Sequence, residues 1–326
     1  MSELRVHILH APQPREMARL RRRLGARVEL DAGPRLAEPA SFQVLVGGRF
    51  SAAELEASPA LEAVIVPFAG VPEDTLRLLA GYPRLTLHNL HHNAAATAEG
   101  ALALLLAAAK RLLPADRALR AGDWRARYRD REGLVLAGRT ALVVGLGAVG
   151  VRVARALRAL GLRVVGVRRD GARACAEAEE VVGAERLDEL LPRAEVLVLC
   201  CPCTAETQGL LDARRLALLP AGAILVNVGR GGLVAEEPLY RALRAGRLGA
   251  AGLDVWWRYP EAEDDRELTL PSALPFHELE NVVMSPHRAG HGEGVEPARM
   301  DALAELLERR LAGEPLPNRV DLARGY

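Results

Sequence analysis

Short apolar runs alternate with segments of helical period along most of the chain. Residues 6–9, 42–46, 61–66 and 85–87 are strand-like, and between them 15–24, 52–57 and 73–80 repeat their apolar positions every three or four residues. That βαβα order predicts a small parallel sheet covered on both faces. The stretch 97–113 predicts one long helix, followed by a polar, arginine-rich stretch over 116–131. A second series begins at Gly138, with strands predicted over 141–144, 163–167, 195–199, 223–228, 250–253 and 282–284. The helix predicted over 296–311 comes after that series is complete and is expected to pack back on the first domain. The expected organisation is therefore a discontinuous domain of residues 1–95 and 290–326, and a second domain of residues 96–289.

Composition narrows the class. A chain of 326 residues that is 50% apolar can bury substantial cores, and a net charge of +1 with scattered basic residues offers no patch for nucleic acid or an anionic membrane. The N-terminal residues lack the apolar core of a signal peptide. The longest apolar run, 94–109, is short for a membrane span and contains Glu99. A cytoplasmic protein without membrane or nucleic-acid partners is expected. Of the 4 cysteines, Cys200, Cys201 and Cys203 cluster at the end of an apolar run, where a thiol behaves as a small hydrophobe. Neither a disulfide framework nor a metal site is expected from them.

The densest chemical signal is the run Ala141-Leu-Val-Val-Gly145-Leu-Gly147-Ala148-Val149-Gly150, an apolar strand entering G-x-G-x-x-G, with a helical pattern over 151–160. The first glycine allows the tight turn, the second lets backbone approach a pyrophosphate, and the third lets helix and strand pack closely. The helix N-terminus offers N–H groups and a positive dipole end to phosphate. Gly145, Gly147, Ala148, Val149 and Gly150 are thus the expected phosphate cradle of a dinucleotide. An acid that reads the ribose 2′-OH is expected about 20 residues on, at the end of the next strand. Arg168 and Arg169 stand there instead, with Asp170 behind them. A guanidinium pairs with a 2′-phosphate, so NADP(H) is favoured over NAD(H).

Three further segments lie at C-terminal ends of predicted strands: Asn227-Val-Gly-Arg230-Gly-Gly, Gly252-Leu-Asp254-Val-Trp-Trp-Arg-Tyr259-Pro260 and Met284-Ser-Pro-His287-Arg-Ala-Gly290. Arginine, aspartate and histidine are the groups that hydride transfer to a carbonyl acid requires: one to hold the carboxylate, one to orient the nicotinamide, one to exchange the proton. With Asn93-Ala-Ala-Ala-Thr-Ala98-Glu99 and Cys201-Pro202-Cys-Thr204 followed by Thr207 and Leu210-Leu-Asp212, they make nearly the whole chain resemble the D-isomer-specific 2-hydroxyacid dehydrogenases. The resemblance implies two doubly wound parallel-sheet α/β domains, a Rossmann cofactor domain and a smaller flavodoxin-like substrate domain, with a cleft between them. It implies catalytic roles for Arg230 (substrate carboxylate and carbonyl) and His287 (acid/base). Asp254 would lie near the nicotinamide amide, Pro202 and Thr207 in the cofactor site, and the main-chain N–H groups of Ala69, Gly70 and Val71 would cradle the substrate carboxylate. A small anionic 2-keto or 2-hydroxy acid is the implied substrate and a homodimer the implied assembly.

One position departs from the family pattern. The glutamate that usually precedes the proline of the aspartate motif and pairs with the histidine is Tyr259 here. Tyr259 is expected among the catalytic residues and can hydrogen-bond the ring. It supplies no charge at neutral pH, so His287 should hold its proton less well, unless Glu261 or Glu263 substitutes. His88, His91 and His92 form a cluster whose role is structural, substrate-shaping or metal-binding, the first being favoured. The expected activity is NAD(P)H-dependent interconversion of a small 2-keto acid and its D-2-hydroxy acid. The alternative is a catalytically weak NAD(P)H-sensing protein on the same fold.

Overall fold

A computed structural model describes residues 3–128 and 133–326, so the end of the arginine-rich stretch, 129–131, lies outside the described residues. The chain divides into two compact units, Met1–Asn93 with Gly292–Tyr326, and Ala94–His291.

The first unit runs β1 (Leu4–Ile8), α1 (Pro14–Leu24), β2 (Val28–Ala32), β3 (Val44–Val46), α2 (Ala52–Glu56), β4 (Ala63–Val66), α3 (Glu73–Leu79) and β5 (Thr86–Asn89). Its strands form one parallel sheet in the order β2-β1-β3-β4-β5. Val44, Val46 and Ile65 pack with Leu20 of α1 in one core, whereas Leu45, Val64 and Leu87 pack with Leu55 and Leu79 in another, so both faces are covered. The helix ends are conventionally specified. Ser51 and Glu54 make a reciprocal capping box on α2. Proline opens α1, with Glu16 in its first turn and Arg21, Arg22 and Arg23 in its last.

The second unit opens with α4 (Ala94–Ala109) and α5 (Leu112–Arg120), then β6 (Thr140–Val144), α6 (Ala148–Ala159), β7 (Arg163–Arg168), β8 (Glu180–Gly183), α7 (Leu187–Leu190), β9 (Val196–Leu199), α8 (Ala213–Leu218), β10 (Ile224–Asn227), α9 (Glu236–Arg244), β11 (Ala250–Leu253) and β12 (Val282–Met284). Its seven-stranded sheet has the order β12-β11-β10-β9-β6-β7-β8, with every pairing parallel. β6, β9, β10 and β11 are buried along their whole length, as strands covered on both faces must be. The chain then returns to the first unit as α10 (Val295–Leu311), which packs on α1 through Leu303 and Leu307 and through the Arg19–Asp301 and Arg23–Glu308 ion pairs.

Two parallel α/β sheets are thus the architecture expected from the sequence. The elements differ from expectation in three places. The single helix expected over 97–113 ends at Ala109, because Arg111 adopts a left-handed backbone (φ 49°) that no helix can continue through. The turn sends the chain into α5, which has no buried residue and leaves Leu112, Leu113 and Leu119 exposed. Strands β2 and β8 were not expected; both lie at sheet edges, where the apolar signal is diluted. Among the described residues no helix is long and apolar enough to cross a membrane.

Candidate functional site

The C-terminal ends of the second unit's strands form one row. Reading across the sheet, His287 follows β12, Asp254 follows β11, Arg230 follows β10, the Cys201–Thr207 loop follows β9, the glycine turn follows β6, and Arg168 ends β7 with Arg169 just after it. At about 4.8 Å per strand, the row spans roughly 24 Å. The order of strands reverses at β6 and β9, the position where open α/β sheets leave a crevice.

The glycine turn is built by close approach. Gly145 has φ +97°, and a Cβ there would meet the Cys201 nitrogen at 2.7 Å; a Cβ on Gly150 would overlap the Gly145 carbonyl oxygen. Gly147 caps α6 with no side chain, and a Cβ on it would meet nothing within 4 Å. The turn therefore opens onto free space at a helix N-terminus, which fits a pyrophosphate. Arg168 closes over this turn, donating to the Leu146 carbonyl and, at 3.1 Å, to the Arg173 carbonyl. Arg169 donates to the Glu206 carboxylate at 2.7 Å. Thr207 holds its own loop: its hydroxyl donates to the Pro202 carbonyl at 2.8 Å and accepts from the Thr204 N–H at 2.8 Å. The thiols of Cys200 and Cys201 are driven above their ordinary range by burial, that of Cys201 up to about 12, so both are neutral packing groups.

At the other end of the row the three motifs are tied together through main chain. The Asp254 N–H donates to the Asn227 carbonyl at 3.1 Å, and the His287 N–H donates to the Asp254 carbonyl at 2.8 Å. The Asn227 side chain staples its own loop, donating to the Arg230 carbonyl (2.8 Å) and accepting from the Gly229 N–H (3.0 Å). Asp254 is 2% exposed. Its Oδ1 accepts from the Ser285 hydroxyl (2.6 Å), the Arg288 N–H (2.9 Å) and the Ala289 N–H (3.1 Å), and its Oδ2 accepts from the Ala289 N–H (3.0 Å). The carboxylate thus clamps the 285–289 loop and keeps only Oδ2 with spare accepting capacity. Asn227 and Ser285 carry this work without standing out in the sequence; an asparagine two residues before a glycine and a serine two before the histidine are the signals that mark them.

His287 sits on that loop with a left-handed backbone (φ 54°), a conformation that costs a non-glycine residue about 1–3 kcal/mol and is held here by its N–H bonds. Among the described residues its imidazole has no hydrogen-bond or ion-pair partner. Burial and then the Arg230 charge hold it below the ordinary imidazole range, against a smaller upward pull from Asp254. Tyr259 lies beside it, ring centroids 5.6 Å apart and tilted by 57°. The phenol oxygen accepts from the Trp256 N–H at 3.2 Å, and burial raises its pKa. Glu263 is ion-paired with Arg266 at 2.6 Å. The Arg230 guanidinium donates to the Gly229 carbonyl at 2.7 Å, and among the described residues no carboxylate pairs with it. Trp256 and Trp257 pack with Phe276, and their indole N–H groups donate to the carbonyls of Ser285 and Val234.

The structure thus gathers Arg230, Asp254, Tyr259 and His287 on three neighbouring strand ends. Ala69, Gly70 and Val71 belong to the first unit, in the loop after β4, where the Ala69 carbonyl accepts from the Asn89 side chain at 2.6 Å. In the same unit His88 is buried and bonds the Pro317 carbonyl at 2.9 Å through Nδ1. His92 accepts from Arg299 at 3.4 Å and is pushed down to about 4 by burial, Arg299 and His91. Among the described residues no three His, Cys, Asp or Glu side chains are arranged to hold a metal ion.

Comparison with known proteins gives this row its class. The D-isomer specific 2-hydroxyacid dehydrogenase NAD-binding domain matches residues 102–289. The D-3-phosphoglycerate dehydrogenase of Mycobacterium leprae is 38% identical over 276 residues, 83% of this chain and 49% of that one. The glyoxylate reductase of Korarchaeum cryptofilum is 35% identical over 232 residues, 69% of this chain and 65% of that one. A D-isomer specific 2-hydroxyacid dehydrogenase from Xanthobacter autotrophicus Py2, solved with NADPH and MES, superposes with a TM-score of 0.83 at 28% identity over 100% of both chains. The chain belongs to the D-isomer specific 2-hydroxyacid dehydrogenase family. It spans about half the length of the phosphoglycerate dehydrogenases it matches.

Proposed function

We propose that this protein reduces a small anionic 2-keto acid to its D-2-hydroxy acid, or catalyses the reverse, with NADPH preferred over NADH. The observation that carries the reading is the order along the strand ends. A guanidinium and an imidazole stand at one end, a glycine turn open at a helix N-terminus in the middle, and two arginines at the other. Gly145–Gly150 would hold the phosphates of a dinucleotide laid along that row, and Arg168 and Arg169 would meet its 2′-phosphate.

When bound, a reduced nicotinamide would supply the hydride to the keto carbon. Arg230, without a carboxylate partner of its own among the described residues, holds the substrate carboxylate and carbonyl oxygen and stabilises the charge that develops on that oxygen. Protonated His287 donates the proton that completes the hydroxyl; in the oxidative direction the neutral imidazole takes it back. Asp254 is a positioning residue for His287, and its Oδ2 retains capacity for the nicotinamide amide. Tyr259 fills the place of the usual glutamate and packs against the imidazole without charging it. The main-chain N–H groups of Ala69, Gly70 and Val71 are proposed as a further carboxylate anchor, on family resemblance alone. The exposed leucines of α5, together with Trp124 at 60% exposure, favour a homodimer.

The imidazole's lack of an acidic partner favours a second reading, cofactor binding without turnover. Replacing His287 by alanine separates the two. Under the proposed function turnover falls by about 10²–10⁴-fold while NADPH affinity stays within about twofold. Undiminished turnover would remove His287 as the proton donor.

A further inference from the structure

The acid that should read the ribose is missing from the end of β7, but a carboxylate reaches the same place from another strand. β7 and β9 flank β6 in the sheet, so the loops after them stand on either side of the glycine turn. The Arg169–Glu206 pair, at 2.7 Å, joins those two loops. Glu206 is not on a loose segment: it lies inside the turn that the Thr207 hydroxyl fastens to Pro202 and Thr204. Its side chain is 70% exposed, against 35% for Arg169, so it is open to an incoming ligand. The two arginines are engaged differently. Arg168 is bound to neutral carbonyls, and Arg169 to an anion.

We propose that Glu206 sets the cofactor preference by competing with the 2′-phosphate for Arg169. This rests on the reading of Arg169 as one of the two arginines that meet that phosphate. A 2′-phosphate adds nearly two negative charges and must displace the carboxylate from the guanidinium or sit beside it, and either costs binding energy. A free 2′-hydroxyl has no such conflict, because it can donate to the carboxylate. Glu206 therefore supplies from the β9 loop what the end of β7 lacks, and it keeps NADH a usable cofactor in a site furnished with arginines.

The test is titration of the whole protein with NADPH, NADH, 2′,5′-ADP and ADP, for the parent chain, Glu206→Gln and Arg169→Ala. Unfolding temperatures check that each variant is folded. Glu206→Gln removes the charge of an exposed ion pair, so it should tighten NADPH and 2′,5′-ADP roughly three- to fivefold, leaving NADH and ADP within about twofold. Arg169→Ala should weaken the two 2′-phosphorylated ligands selectively. If Arg169→Ala does so while Glu206→Gln leaves the NADPH-to-NADH affinity ratio unchanged or lower, the role of Glu206 is overturned and the reading of Arg169 stands. If Arg169→Ala leaves that ratio unchanged, the reading of Arg169 itself fails.

Discussion

Under the proposed function, His287 is a proton donor prepared without a carboxylate bonded to its ring. Its position comes from Asp254, which spends most of its accepting capacity on the loop that carries the histidine. Its proton affinity comes from burial and the Arg230 charge, both of which favour the neutral ring. Reduction needs the protonated form, so the reductive rate should be full at acid pH and fall as pH rises through a value below the ordinary imidazole range. Tyr259→Glu reverses this: a carboxylate beside the ring favours the charged imidazole and raises its pKa. The falling limb of the kcat profile should move to higher pH, and an unmoved limb would show that the histidine does not set it. Arg230 and His287 were legible in the sequence because each follows an apolar strand run in a polar-glycine context. The duty of Asp254 as a clamp was not, since its partners are main-chain N–H groups and a hydroxyl 31–35 residues away. Tyr259 before Pro260 was visible in the sequence, but not that its hydroxyl turns to the Trp256 N–H.

The β6–turn–α6 unit depends on a glycine whose missing side chain is its function. Gly150→Ala would drive a Cβ into the Gly145 carbonyl, forcing the turn away from the helix N-terminus. NADPH binding should weaken by more than about tenfold, and stability should fall by about 1–3 kcal/mol, read by cofactor titration and denaturant unfolding. Retained affinity would mean that the phosphates sit elsewhere. The central strands were legible because strands buried on both faces are continuous apolar runs. β2 and β8 escaped for the opposite reason. β2 alternates buried Val28 and Leu30 with exposed Glu29 and Asp31, and β8 opens on Glu180. The break between α4 and α5 was hidden because apolar residues flank Lys110 and Arg111 on both sides, and the left-handed backbone of Arg111 reveals it.

For the molecule as a whole, the second unit's sheet places the chemical groups in one sequence from His287 to Arg169, and the proposed function follows from that order. The measurement that tests this account most directly is nicotinamide absorbance on mixing pure protein and NADPH with glyoxylate, hydroxypyruvate or pyruvate, at pH values on both sides of neutrality. The account predicts that at least one of these keto acids consumes the cofactor mole for mole, faster on the acid side. Tight NADPH binding with no oxidation by any of them at any pH would contradict it.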